Sequence, residues 1–340
     1  MEVTIKEIAK ECGVGISTVS RAINNHPDIN PETKTRVLET IERMHYIPNN
    51  SARNLKMTDS KTIAALVKGI TNPFFNDMIS VLEEKIEKKN YSFVLQRVEE
   101  NEDELDVALH LEKEKRLSGL IFLGGTFSNE NDRMKQLNIP FVLCTVGGVP
   151  RQENPKISSV SVDDYKESYK MVDYLCSAGH KRIAMLKSWD EERSIGYLRY
   201  KGYVGALKAH GLEPQKELVI SMNKESDHYD METGYRLTKQ LIETTESFDA
   251  LYCTSDSLAF GALRAMHEAG ISVPEQCVVA GFDGLEMGKY YSPTLTTIEQ
   301  PTKEMAAETA KALFEEMEKG THIQWYFDAK LVVRESTENE

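Results

Sequence analysis

The chain has 340 residues, of which 40% are hydrophobic and 28% charged, and its net charge is −13. This length allows two to three domains with sizeable cores, and no apolar run is long enough to cross a membrane. The N-terminus, MEVTIKEIAKE, lacks an apolar signal core, and the five scattered cysteines form no CxxC pair. We therefore expect a cytoplasmic protein with reduced thiols and no membrane partner.

The acidic charge is unevenly distributed along the chain. Residues 1–56 carry eight Lys and Arg against seven Asp and Glu, a net charge of +1. The rest of the chain therefore carries −13 − 1 = −14. A polyanion such as DNA is expected to bind only the N-terminal segment.

The N-terminal segment predicts three short helices. Thr4 and Glu7 have the spacing of a capping box, and Gly13 ends the helix that they begin. A second helix begins near Gly15, and a third begins at Asn30. Apolar residues at helical spacing predict a core of Ile5, Ile8, Ala9, Cys12, Val19, Ala22, Ile23, Val37, Leu38, Ile41 and Met44. This pattern is typical of a helix-turn-helix, and a helical cap on the next domain is the alternative.

From residue 61 onwards, apolar strand patterns alternate with helical patterns. Strands are predicted at 62–69, 91–98, 117–125, 140–146, 158–163, 181–188, 217–222, 248–255 and 276–283. Repeated β-α units predict an α/β fold with parallel sheets, and two series of them predict two doubly wound lobes. In such folds ligands bind in the cleft at the carboxyl ends of the strands.

Polar and aromatic residues near the ends of these strands are candidates for ligand binding. They are Asn72, Phe74, Phe75, Gln96, Asp163, Arg193, Arg199, Tyr229, Ser255, Asp256 and Asp283. Planar charged groups can bridge adjacent hydroxyls of a sugar, and aromatic rings can cover its C–H face. A surface ion pair for Arg199 and a turn or helix cap for Asp283 are the alternatives.

Catalytic and metal-binding motifs do not fit this sequence. It has no HExxH motif, and GLEMGKY at 284–290 has three residues between its glycines instead of the four of a phosphate loop. Asp227, His228, Asp230 and Glu232 have the wrong order for a calcium loop, which favours a solvated turn. We expect no enzymatic activity, no cofactor and no metal.

Two N-terminal motifs together carry a resemblance to a known family. TIKEIAKECGVGISTVSRAIN at 4–24, followed by YIPNNSARNLK at 46–56, closely resembles the lactose/galactose-repressor (LacI/GalR) family of bacterial transcription regulators. The resemblance continues through NPFF (72–75), SAGHKRIAML (177–186), TSDSLAFGALRAM (254–266), GISVPEQCVVAGFDG (270–284) and SPTLTTIEQP (292–301). A departure is Gly15, where the family usually has a capping Ser.

The resemblance implies three parts of the chain. A helix-turn-helix domain spans 1–46, a hinge helix and linker spans 47–60, and an effector-binding and dimerisation domain like the periplasmic sugar-binding proteins spans 61–340. In that fold the chain crosses between lobes three times, here near 160–163, 289–294 and 325–330. The N-lobe then comprises about 61–161 and 293–327, and the C-lobe about 162–292 and 328–340.

The resemblance also implies which residues contact DNA. Ile16 and Ser17 lie at positions that contact base edges, and Arg21 at one that contacts bases or backbone. Positions that contact phosphates or dock the helix are occupied by Thr4, Thr18, Ser20, Asn24 and His26. In the hinge, Leu55 matches a minor-groove wedge, with Ala52 as its small neighbour and Asn49 and Arg53 as backbone contacts. The expected DNA partner is a double-stranded, pseudo-palindromic operator bound by a homodimer.

For the body, the resemblance implies a repressor controlled by a sugar effector, with Arg199 and Asp283 as its main ligands. Ser255 departs from the Asn found in sugar-responsive members, and Arg193 matches an Arg of purine-responsive members. A purine or a sugar phosphate therefore stays open as the effector. A phosphorylated carrier protein as the controlling partner is another alternative, and a periplasmic solute-binding protein is a remote one.

Overall fold

The computed structural model describes residues 4–23, 26–44, 61–99, 102–126, 131–147, 156–189, 194–223, 226–245 and 247–338. The chain divides into two compact units, Met1–Ser60 and Lys61–Glu340. The predictions for Asn24, for Arg193 and for the hinge at 47–60, with Asn49, Ala52, Arg53 and Leu55, lie outside the described residues.

The described residues of the first unit form three helices: α1 (Ile5–Glu11), α2 (Ile16–Ile23) and α3 (Pro31–Arg43). Their shared core consists of Ile8, Ala9, Cys12, Val19, Ala22 and Val37. The prediction that Leu38 is buried is wrong, because its side chain is 41% exposed. Leu38 follows Val37 directly, and one helical step of about 100° turns it away from the core.

Local hydrogen bonds define where these helices begin and turn. The Glu7 carboxylate accepts hydrogen bonds from the Thr4 backbone N (2.7 Å) and the Thr4 hydroxyl (2.9 Å). Asn30 Oδ1 accepts from the backbone N of Glu32 (2.9 Å) and of Thr33 (3.2 Å), which satisfies free donors of α3. Gly13 adopts φ = +64° after α1, so the chain can turn directly into α2.

The described part of the second unit forms two six-stranded sheets. The first sheet is formed by β1 (Thr62–Lys68), β2 (Ser92–Val98), β3 (Gly119–Leu123), β4 (Phe141–Cys144), β5 (Ser158–Val162) and β11 (Gln324–Phe327). The second sheet is formed by β6 (Ile183–Lys187), β7 (Val219–Ser221), β8 (Ala250–Cys253), β9 (Val278–Asp283), β10 (Thr296–Glu299) and β12 (Lys330–Val332).

The strand orders are those of two doubly wound lobes. The first sheet has the order β11-β5-β4-β3-β1-β2 and is parallel throughout. The second has the order β12-β10-β9-β8-β6-β7, in which only β12 runs antiparallel to its neighbour. The predicted fold class is confirmed. In both sheets the strand order reverses near the centre, and ligand sites form at such reversals.

The helices of this unit cover the two sheets. They are α4 (Phe74–Lys88), α5 (Glu104–Lys115), α6 (Asn131–Met134), α7 (Asp164–Ser177), α8 (Ile195–Ala209), α9 (Met231–Thr244), α10 (Asp256–Glu268) and α11 (Thr302–Lys319). Central strands such as β1, whose five interior residues are all buried, are apolar because helices pack on both faces. Within the described part of the chain, no helix has the length and apolar character that a membrane span requires.

The chain crosses between the lobes three times in the described residues, and one of the three predicted crossings is misplaced. The expected crossing at 289–294 is wrong, because β10 pairs with β9 and so residues 296–299 belong to the second lobe. The chain returns to the first lobe only at 300–302, where α11 begins and packs against α4. The other passages follow β5 and separate β11 from β12.

Candidate functional site

A cavity of about 410 Å³ lies between the two lobes. This volume is within the range of about 300–1,000 Å³ for small-molecule sites. Side chains from both lobes line it, among them Lys68, Asn72, Phe74, Phe75, Glu104, Asp164, Trp189, Arg199, Tyr229, Asp283 and Gln300.

Arg199 is the centre of a buried charge cluster in this cavity. Its Nε donates to Asp164 Oδ1 (2.9 Å), and its Nη1 donates to the Thr254 backbone O (2.6 Å). The same Nη1 lies 3.6 Å from Asp283 Oδ1. The guanidinium carbon lies 3.6 Å from the ring centroid of Phe282, a cation–π contact. A buried arginine between two carboxylates is thus held in one orientation, and the surface ion pair is excluded.

Asp283 has both a strained backbone and an unsatisfied carboxylate oxygen. Its φ of +123° is uncommon for a residue with a side chain, and such strain is typical of functional positions. Oδ1 accepts from Gln300 Nε2 (3.1 Å), whereas Oδ2 is buried without a hydrogen-bond partner among the described residues. Burial raises the pKa of Asp283 to about 7, against the lowering effect of Arg199. A ligand hydroxyl in the cavity could donate to this oxygen.

Aromatic rings form the apolar walls. Phe74 and Phe75 pack edge to face in the first turn of α4, with ring centroids 5.2 Å apart. Across the cavity, the rings of Trp189 and Tyr229 lie 6.5 Å apart. Gly196 permits this wall, because a Cβ there would lie 2.3 Å from Ser188 Cβ and 3.3 Å from the Tyr229 hydroxyl.

The structure brings six of the predicted ligand residues to the cavity: Asn72, Phe74, Phe75, Arg199, Tyr229 and Asp283. Four others, Gln96, Asp163, Ser255 and Asp256, do not line it. Gln96 lies on edge strand β2, where its Nε2 donates to the Arg97 backbone O (2.8 Å). Asp163 is exposed and caps α7 by accepting from the Lys166 backbone N (3.1 Å). Both predictions are wrong, because Gln96 is at the edge of its sheet and the Asp163 carboxylate is bound to the start of α7, away from the cavity.

Ser255 and Asp256 are likewise corrected, because they hold local structure instead of lining the cavity. Ser255 Oγ accepts from the Leu258 backbone N (3.3 Å) and caps α10. Asp256 accepts from the backbone N of Gly284 (2.9 Å) and from the Thr297 hydroxyl (2.6 Å). Burial raises the pKa of Asp256 to about 6. Asp256 therefore holds the loop after β9 in place, and Ser255 holds the start of α10.

Sequence reasoning missed several lining residues. Asp164, the partner of Arg199, is adjacent to the predicted Asp163, and only the helix geometry separates the cap from the buried position. Lys68 and Glu104 form an ion pair at the cavity (3.2 Å), although they are far apart in sequence. Trp189 lies two residues after the end of β6, so its position close behind a strand was an available signal.

In the first unit, α2 presents a polar face. Ile16, Ser17, Ser20 and Arg21 are exposed, and Thr18 is partly buried. On α1, Thr4 is exposed. His26 is exposed after α2, and its backbone N donates to the Arg21 backbone O (3.0 Å).

Metal-ligand clusters are not found among the described residues. In the acidic run predicted to be a turn, the Asp227 carboxylate pairs with Arg236, and Asp230 caps α9 through the Thr233 backbone N (2.8 Å). These carboxylates therefore have structural partners.

Comparison with known proteins gives matches over both units. Residues 4–49 match the model "Bacterial regulatory proteins, lacI family", and residues 172–337 match the model "Periplasmic binding protein-like domain". The transcriptional regulator MalR of Clostridium butyricum is 37% identical over 338 residues, which cover 98% of this chain and 99% of MalR.

Solved structures share the fold. The Lac repressor dimer bound to operator and an anti-inducer matches with a TM-score of 0.77 and 23% identity, covering 99% of each chain. The regulator CelR in complex with cellobiose matches with a TM-score of 0.71 and 24% identity, covering 98% of this chain and 100% of CelR. The helix-turn-helix unit, the two-lobed body and the full-length similarity to MalR lead to one conclusion: the chain belongs to the LacI family of bacterial transcriptional regulators.

Proposed function

We propose that the protein is a cytoplasmic, dimeric transcriptional repressor whose affinity for its operator is controlled by a sugar bound between the lobes. The observation that carries this proposal is the Arg199 cluster. A planar guanidinium, two carboxylates and flanking aromatic rings share one cavity, and this combination suits adjacent hydroxyls and the C–H face of a sugar.

On the DNA side, α2 is the recognition helix. Ile16 and Ser17 lie at its N-terminal end, where a major-groove helix contacts base edges, and both are exposed. Arg21 is exposed on the same helix and can bond guanine or a phosphate. Thr4, Thr18, Ser20, Asn24 and His26 position the helix on the duplex. The charge of this unit is close to neutral, so dimeric pairing on a two-fold operator supplies much of the specificity.

The hinge couples the two units. Leu55 of each protomer inserts into the minor groove as a wedge, beside Ala52, and Asn49 and Arg53 contact the backbone. Isolated helices shorter than about 12 residues are marginal in water, so in this proposal the hinge responds to movement of the lobes. The protein acts by binding and has no catalytic activity and no cofactor.

A thermal-shift screen of the full chain tests the effector proposal. Neutral sugars, sugar phosphates and purines are each added at a concentration series. A ligand at 100 times its Kd stabilises the folded state by about 2.7 kcal/mol, which raises Tm by roughly 5–10 °C for a unit of this size.

A compound that raises Tm is then titrated against operator DNA selected from a random library. We expect the same compound to change operator affinity at the concentrations that raise Tm. A chain that selects no DNA sequence, or a cavity to which no sugar or sugar derivative binds, contradicts the proposal.

A further inference from the structure

A second buried ion pair lies in the cavity, on the wall of the first lobe. Lys68 ends β1 and Glu104 begins α5, and Lys68 Nζ lies 3.2 Å from Glu104 Oε2. Their side chains are 15% and 9% exposed. An ion pair that is this deeply buried costs desolvation free energy, so its place on a cavity wall calls for an explanation beyond stability.

The surrounding backbone is shaped to hold this pair. Glu104 Oε1 accepts from the Thr126 backbone N (3.2 Å), and Lys68 Nζ donates to the Glu102 backbone O (2.8 Å). Gly125, with φ = +93°, lies so close that a Cβ there would be 2.2 Å from Glu104 Oε1. A side chain at this position would displace the Glu104 carboxylate, and the positive φ itself favours glycine.

The cavity thus has two charged poles, each beside an aromatic residue. We name the Arg199 cluster the inner pole, because the side chains of Arg199 and Asp283 are only 8% and 3% exposed; it lies on the second lobe, with Tyr229 nearby. The outer pole is the pair Lys68–Glu104. Phe75 lies at the outer pole, since a Cβ on the neighbouring Gly124 would be 2.9 Å from its ring. One pole with its ring suits one sugar ring, and two poles suit two.

The charges at both poles are already compensated. In the described part of the lining, the cations are Lys68 and Arg199, and each is paired with a carboxylate. The acidic residues of the same lining are Glu102, Asp103, Glu104, Asp164 and Asp283. A phosphate group would meet paired cations and an excess of negative charge, whereas neutral hydroxyls can donate to the carboxylates.

We propose that Lys68–Glu104 forms an outer subsite and that the effector is a neutral sugar of at least two linked rings. This inference rests on the proposed function, which requires only that some sugar or sugar derivative binds. The second ring bridges Lys68 and Glu104 through adjacent hydroxyls, while the first ring occupies the inner pole. Lys68 and Glu104 therefore make the site favour sugars of two rings over single rings, and neutral sugars over phosphorylated ones.

The test is calorimetric titration of the full chain with neutral disaccharides, with their single-ring sugars and with the corresponding 6-phosphates. For at least one disaccharide, we expect wild type to bind its constituent monosaccharide and its 6-phosphate at least tenfold more weakly. Equal affinity for one ring and two, or tighter binding of a phosphate, overturns the inference.

Glu104→Gln is the informative variant, because it keeps the shape and removes one charge. We expect about tenfold weaker binding of the disaccharide, unchanged binding of the monosaccharide, and tighter binding of the 6-phosphate to the now uncompensated Lys68. Glu315→Gln, in an exposed pair with Lys319, is the control and should change none of these affinities. An equal loss for one ring and two in Glu104→Gln contradicts an outer subsite.

A second variant, Lys68→Met, keeps the test decisive if Glu104→Gln does not fold, as judged by its Tm without ligand. It should weaken the disaccharide and leave the monosaccharide unchanged. If a single-ring or phosphorylated sugar binds best and alters operator affinity, the proposed function stands and this inference fails. If no sugar of any class binds, both fail.

Discussion

Replacing Arg199 with methionine should lower the free energy of unfolding, because it leaves two buried carboxylates without a counter-charge. Methionine preserves much of the apolar volume but removes the hydrogen bonds to Asp164 and Thr254 and the contact with Asp283. Breaking a buried ion pair by removing one partner typically costs about 3–5 kcal/mol. We expect a loss of this size at pH 8 and, at temperatures where the variant is folded, operator binding that no longer responds to effector.

The cost should depend on pH because of Asp283. Its pKa in the folded state is about 7, raised by burial above its ordinary value. The folded state therefore binds more protons than the unfolded state in the acidic range, and stability falls as pH rises through 7. Arg199 lowers this pKa, so its removal raises the pKa further. The stability difference between wild type and variant should then be smaller at pH 6 than at pH 8, by up to about 1.4 kcal/mol, the free energy that corresponds to one pKa unit.

Urea denaturation followed by tryptophan fluorescence measures this effect. Both tryptophans, Trp189 and Trp325, lie in the second unit and report its unfolding alone. Arg264→Met is the matched control, since Arg264 pairs with Glu268 on the surface and should cost less than about 1 kcal/mol at either pH. If both variants lose the same stability, or if the loss in Arg199→Met is independent of pH, the buried cluster is misassigned.

Three further predictions concern DNA binding. Gly15→Ser should stabilise α2 by a few tenths of a kcal/mol in circular-dichroism melts, because a serine hydroxyl just before the helix can accept from its free backbone N–H groups. A side chain fits there, since the nearest side-chain oxygens lie 3.6 and 3.9 Å from a Cβ at this position, and a lower Tm would contradict the cap. Ser17→Ala should change the preference among operator bases by about 1–3 kcal/mol in an operator-variant array, whereas Thr4→Ala should weaken binding to all sequences alike. An equal loss of affinity for all sequences in Ser17→Ala would show that Ser17 does not lie on the face that contacts bases. Leu55→Ala should abolish most operator affinity in gel-shift titrations while non-specific binding stays intact; equal operator affinity would exclude the wedge.

The sequence was most informative where burial is continuous. All nine predicted strands are present, and those in the centre of the first sheet, such as β1 and β3, are uninterrupted apolar runs covered on both faces. The sequence was less informative for β10, β11 and β12. In β10, Thr296 and Thr297 are polar but buried. Because the segment did not read as an apolar run, the strand was not predicted, and the crossing between the lobes was placed before it instead of after it.

The cavity residues show a similar limit. Position after a strand correctly indicated Asn72 and Asp283, since parallel strands end at one edge of a sheet. The same rule could not separate Asp163 from Asp164, because one residue along a helix decides between capping and facing the cavity. It could not pair Lys68 with Glu104 either, since that contact depends on the packing of α5 against the strand ends.

The most direct test of the account is the linkage between cavity and operator. Operator affinity is measured by fluorescence anisotropy without and with saturating effector, and effector affinity is measured by calorimetry without and with saturating operator. We expect both affinities to fall by the same factor, a coupling of about 1–3 kcal/mol, because the proposed function requires one conformational equilibrium that both ligands shift. Effector that binds equally well to free and operator-bound protein would contradict it.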